Sequence, residues 1–190
     1  EEVVRYTHIQ ECVSFAFVCL EAYNILKDKE FLRACYDAAA KWVHWLEKHR
    51  MTQNKGLIEM FCGFDTGHDN SGRVTDIGCP DAVVIDGVWQ NADVLPPEDG
   101  ITPIIAVDMN CNFYGNLISL SKMALLLGDV LACEKWIERA EAVKKRIFEV
   151  CFDENDCFFY DVDKNGNFRK IKSSTIFHLF LERVLDKDKD

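Results

Sequence analysis

The sequence has no run of about 18 uncharged apolar residues, which argues against a membrane-spanning helix. Its first residues, Glu-Glu-Val-Val-Arg, lack the basic and apolar regions of a secretory leader. No Cys-x-x-Cys or Cys-x-x-His pair is present, so neither a thiolate zinc site nor another metal or cofactor is expected. Basic residues are also short: 22 Lys and Arg face 32 Asp and Glu, a net charge of −10. That deficit excludes nucleic acid or an anionic membrane as the main partner and suits a neutral substrate such as a sugar.

What remains is a chain of 190 residues, 48% hydrophobic, long enough to bury a core and read as one domain over 1–190. Its nine cysteines are odd in number, scattered, and mostly at apolar helix positions. They read as reduced thiols acting as small hydrophobes, which points to a cytoplasmic setting.

Helical periodicity runs over 9–27, with Cys12, Phe15, Cys19 and Leu26, and over 30–49, with Phe31, Cys35, Ala38, Trp42 and Trp45 on one face. The short polar break between them predicts a helix hairpin. A second pair is expected over 108–127, ended by Gly128, and over 129–150, burying Leu131, Trp136, Ala140, Val143 and Ile147. Trp42, Trp45 and Trp136 read as core. Residues 157–171 alternate and turn at Asn165-Gly166, a β-hairpin signal, and Ser173 or Ser174 is placed to cap a last helix over 175–185.

Between the helix pairs lies a stretch, 63–103, that Pro96, Pro97 and Pro103 keep from being helical. It is too apolar for a simple linker and reads as a folded active-site loop. At its start stands Asp65-Thr66-Gly67-His68-Asp69-Asn70-Ser71-Gly72-Arg73. Two carboxylates, a His, an Asn and an Arg share a loop with almost no apolar side chain, which suits the presentation of an acid to a substrate. A solvated surface turn is the bland alternative.

The 65–73 segment resembles the signature loop of the helical-toroid glycosidases: trehalases, processing α-glucosidases of glycoside hydrolase family 63, and mannosylglycerate-hydrolase-like enzymes. Their loop reads roughly Glu-Ser-Gly-x-Asp-Asn-Ser-x-Arg. Val107-Asp108-Met109-Asn110-Cys111-Asn112-Phe113-Tyr114 is similar to the Val-Asp-Leu-Asn-Ala-x-Leu-Tyr opening a later helix there, and residues 50–57 resemble their Arg-Asp-x-x-Gly-Asp-Gly-Leu turn. The resemblance implies a mainly α fold, antiparallel helix hairpins of an (α/α)6 toroid with a small β-hairpin added. It also implies that the toroid is incomplete, because two hairpins and their loops consume most of these residues.

By the same resemblance the activity is inverting hydrolysis of a glycosidic bond, α-linked, in a small glycoside or oligosaccharide. Asp69 maps onto the general acid. Asp65, His68, Arg73, Trp89 and Asn110 are the candidate substrate-binding residues. Asp65 stands where Glu is usual, and His68 where Trp or Met is common. Three of them have a structural alternative: an ion pair to Asp65 or Asp76 for Arg73, helix capping for Asn110 as for its neighbour Asp108, and core packing for Trp89. The general base matches no residue here, so it is expected outside this chain, on the rest of the catalytic domain or on a partner chain that closes the ring. A helical module that binds sugar or protein without catalysis is the second reading. Asp161-Val162-Asp163-Lys164-Asn165-Gly166 copies the opening of a calcium-binding loop, but Lys172 at the twelfth position excludes calcium, leaving a plain turn.

Overall fold

In the computed structural model, residues 14–61, 65–68, 71–73, 84–85, 88–89 and 103–185 are described. Helix α1, Phe15–Leu26, buries Ala16, Cys19, Leu20 and Tyr23 at helical spacing. Its N-terminus is capped from another helix: the Asn116 side-chain carbonyl accepts from the Ala16 amide at 2.9 Å. Helix α2, Lys29–His49, begins at Asp28, whose carboxylate accepts from the Glu30 and Phe31 amides at 2.8 and 3.1 Å. The two-residue link makes α1 and α2 a packed hairpin, as their spacing predicts.

The stripe that α2 buries differs by one position from the expected one. Leu32, Ala39, Val43 and Leu46 are buried, whereas Phe31, Cys35, Trp42 and Trp45 flank them half-buried and Ala38 is exposed. Both stripes are apolar, and the bulk of two Trp rings is better placed at the core's edge, where they stack 5.2 Å apart and nearly parallel. Trp136 is buried as expected, its indole N–H donating to the Tyr36 hydroxyl at 2.9 Å.

Helix α3, Val107–Leu126, is buried nearly all round, and α1, α2, α4 and the C-terminal segment all pack on it. Leu127–Asp129 links it to α4, Val130–Cys151, where the Asp129 carboxylate accepts from the Ala132 amide. Here Trp136, Ala140, Val143, Ile147 and Cys151 form the buried face. Leu131, expected among them, is 71% exposed. It precedes Trp136 by five residues, which turns it about 140° away from the stripe.

The strands are short and pair in antiparallel ladders. Strands β1 (Val84–Ile85) and β2 (Val88–Trp89) pair before α3. After α4, β3 (Phe152–Asp153) pairs with β4 (Phe158–Phe159), and β5 (Asp161–Val162) pairs with β6 (Phe168–Arg169). The last of these ladders is the expected hairpin. Gly166, at φ +84°, supplies the left-handed residue of its turn. The Asp163 carboxylate is spent inside that turn, accepting from the Asn165 and Asn167 amides, both at 2.8 Å. Bridges join Met60 to Ile104 and Ile105 to Val162, which brings β5 against the start of α3.

The last helix is shorter than expected. Ser173 caps a 3-10 turn, Ser174–Phe177, which leads into α5, His178–Leu181. This segment lies on α3 in a fixed register: His178 meets Asn112, and Glu182 lies over Gly115. A Cβ on Gly115 would fall 1.8 Å from Glu182 Oε2, which explains glycine in mid-helix. Gly115→Ala in the complete protein is therefore expected to be neutral or destabilising alone. In a Glu182→Ala background it should stabilise by about 1 kcal/mol, the ordinary helix preference for alanine. Urea denaturation of the four proteins in that cycle measures the coupling.

Cys19, Cys35, Cys111, Cys133, Cys151 and Cys157 are unbridged. Burial pushes the thiols of Cys111 and Cys151 up, and burial with Cys35 alongside pushes Cys19 up to about 12. These are inert, space-filling thiols. No helix among the described residues is long and apolar enough to cross a membrane.

Candidate active site

The 65–73 loop begins with a buried carboxylate. Asp65 is fully buried, and its Oδ2 accepts from the Phe61 amide at 2.7 Å. Thr66 Oγ1 accepts from the His68 amide at 3.3 Å, and the Ser71 amide donates to the His68 carbonyl at 2.9 Å. Asp69, the expected acid, lies outside the described residues, as does most of 63–103. Of Trp89 only the backbone pairing with Val84 is described.

Arg73 closes the loop, and it is 2% exposed. Its guanidinium holds Asp161 through both carboxylate oxygens, at 3.1 and 2.8 Å, and Asp108 through the other terminal nitrogen. Thr66 Oγ1 accepts a further bond at 3.3 Å. Asp161 in turn accepts from the Val107 amide at 2.9 Å, so a carboxylate sits at the positive end of α3. Arg169 donates to the Arg73 carbonyl at 2.8 Å. One buried cation thus ties the loop, the start of α3 and strand β5 together.

The electrostatics agree with that arrangement. Burial alone would lower the Arg73 pKa, but Asp108 and Asp161 overcome it and raise it. For Asp161 burial wins, and its carboxyl is raised despite Arg73. Among the described residues Arg73 pairs with Asp108 and Asp161; Asp76, which sequence proximity also suggests, lies outside the described residues. Asp108 pairs with Arg73 from the first turn of α3, and its other oxygen accepts from the Met109 amide of that turn at 2.9 Å.

Asn110 is fully buried, and its side chain is committed to backbone. It accepts from the Ile58 amide at 2.8 Å and donates to the Ile58 and Ala106 carbonyls at 2.9 and 2.8 Å. It clamps the segment before the loop to α3. Next to it, Glu59 is buried and accepts from Thr52 Oγ1 and the Gln53 amide, bracing the 50–57 turn. Burial raises the Glu59 carboxyl. Arg50 lies between the rings of Trp45 and Phe61, at 4.8 and 4.3 Å from their centroids.

Among the described candidates His68 reaches the surface, its side chain 39% exposed with Nε2 3.7 Å from Asp108 Oδ2. Its ring meets that of His178 edge to face, 5.7 Å between centroids. Asp161, Asn112 and His178 belong to this neighbourhood, and none of them was a candidate site residue in the sequence. Asp161 had a visible signal, an acidic pair beside a turn, but it suggested a cation loop. Among the described residues no group of three or more His, Cys, Asp or Glu could hold a metal ion.

The fold agrees with what the chain is similar to. The sequence matches the family model of the mannosylglycerate hydrolase MGH1-like glycoside hydrolase domain over residues 3–189. No curated protein matches it. Among solved structures, the GH63 mannosylglycerate hydrolase from Thermus thermophilus in complex with glucose aligns at TM-score 0.75 and 18% identity, over 98% of this chain and 52% of that one. The same enzyme in complex with Tris and D-glycerate aligns at 0.71 and 18%, over 94% and 52%. An uncharacterized conserved protein from that organism aligns at 0.72 and 17%, over 97% and 53%. The chain spans about half the length of these proteins, and its helix hairpins are part of their helical toroid. It belongs to the mannosylglycerate hydrolase MGH1-like glycoside hydrolase family.

Proposed function

We propose that the complete protein is an inverting glycoside hydrolase acting on an α-linked small glycoside, with Asp69 as general acid. The observation that carries this reading is the anchoring of the 65–73 loop at both ends, by Asp65 on the Phe61 amide and by Arg73 on Asp108 and Asp161. A carboxyl group delivers its proton efficiently only when its position is fixed before the substrate arrives. In this reading Asp65 contributes negative charge that keeps the proton on Asp69, Asn110 and Arg73 position the loop, and His68 and Trp89 line the sugar site.

Asp69 protonates the departing glycosidic oxygen while a base takes a proton from the water that attacks the anomeric carbon from the opposite face. Room for that water requires carboxyl groups roughly 6.5–9.5 Å apart. The base belongs to the part of the toroid outside residues 1–190, on the rest of the domain or on a partner chain. The unbridged thiols suit the reducing cytoplasm.

Mannosylglycerate is the first substrate to try, with other α-linked glycosides beside it. Proton NMR of the first sugar released by the complete protein should show the β anomer before mutarotation. The α anomer first would rule out inversion. Binding without release from any α-glycoside would favour the non-catalytic module.

A further inference from the structure

His178 lies outside every motif that carries the family resemblance, yet α5 places it beside the signature loop. Its Nδ1 is 3.2 Å from Oδ1 of Asn112, which is buried on α3 one turn after Asp108. A carbonyl oxygen only accepts, so Nδ1 carries the proton of this pair. In a neutral ring Nε2 then holds a lone pair. Burial lowers the His178 pKa; His68 and Arg73 lower it further, and Asp108 opposes them. Among the described residues nothing hydrogen-bonds Nε2. The ring is half-buried and edge-on to His68, the exposed side chain next to Asp69 in sequence.

An oriented acceptor with no partner among the described residues, beside the loop of a site for a hydroxyl-rich ligand, has an evident use. We propose that His178, oriented by Asn112, is a specificity-determining residue whose Nε2 accepts a hydrogen bond from a hexose hydroxyl; the inference rests on the sugar-site reading above. Of the charged groups that act on His178, Arg73 and Asp108 are buried and spent on each other. The C-terminal segment thus contributes directly to the site rather than only covering α3.

The test is nitrogen NMR of the complete protein carrying 15N-histidine, titrated with methyl α-D-mannopyranoside. Before addition, Nδ1 of His178 should resonate as a protonated nitrogen and Nε2 as a lone-pair nitrogen. On addition Nε2 should move upfield while Nδ1 stays. An unmoved Nε2, or a lone pair found on Nδ1, overturns the inference. Kinetics give a second readout. His178→Ala should lower kcat/KM about tenfold on the parent glycoside, the worth of one hydrogen bond, and leave it unchanged on the one monodeoxy analogue that lacks the hydroxyl read by Nε2. An equal loss on every analogue means a purely structural role and overturns it. If Nε2 moves with the sugar but no glycoside is hydrolysed, the hydrolase reading fails and the role of His178 stands.

Discussion

Asp69→Asn in the complete protein is expected to lower kcat by about 10²–10⁴-fold on a substrate with a poor leaving group, with the melting temperature unchanged. The amide keeps the size and most of the hydrogen bonding of the carboxylic acid but has no proton to deliver. The leaving oxygen must then depart as an alkoxide. Comparing leaving groups separates this from simple damage to the site. An aryl glycoside whose phenolate leaves readily needs little protonation, so its hydrolysis should fall far less. Near-wild-type turnover of the alkyl glycoside would sink the assignment of the acid. An equal loss on alkyl and aryl glycosides would assign Asp69 to sugar binding instead.

The loop that carries Asp69 was visible in the sequence as a polar island, while what holds its two ends, at Asp65 and Arg73, was not. Helices α1, α2 and α4 could be read because their apolar residues repeat with the helical period, a local signal, and Gly128 marked the end of α3. Two local errors have local causes. On α2 two adjacent apolar stripes compete, and on α4 Leu131 falls before the stripe begins. The site depends on partners far apart in the chain. Asp161 is 88 residues from Arg73, and no spacing rule joins them; the bridge from Ile105 to Val162 sets β5 against α3, and Arg169 holds the Arg73 carbonyl. Asn110 was legible as a polar residue in an apolar helix, but a cap, a sugar ligand and a backbone clamp look alike until Ile58 is seen beside it. His178 gave no signal at all, since its meaning comes from the register of α5 on α3.

Arg73→Met should cost the complete protein about 3–5 kcal/mol, the usual result of removing one member of a buried ion pair. That loss lowers the melting temperature by several degrees. The side chain itself is not the main loss, because methionine fills much of the same volume. What remains is the problem: Asp108 and Asp161 are left buried with no cation between them. The pH dependence follows from the sign of the shift. Asp161 is already raised above its ordinary value by burial, and without Arg73 it rises further, so the folded variant binds more protons than the unfolded chain. Its stability must therefore increase as pH falls through the raised pKa, and the gap to wild type should narrow between neutral and mildly acidic pH. Adding Asp108→Asn and Asp161→Asn removes the stranded charges and should recover much of the loss at neutral pH. A gap that is constant with pH, and that the added substitutions do not narrow, would mean Arg73 contributes packing alone. Activity offers an independent check. With its anchor gone the loop no longer fixes Asp69, and a displacement near 1 Å can cost about 10²-fold in rate. The triple variant should thus regain stability without regaining turnover, because Asn at 108 and 161 cannot hold the loop as the Arg73 fork does.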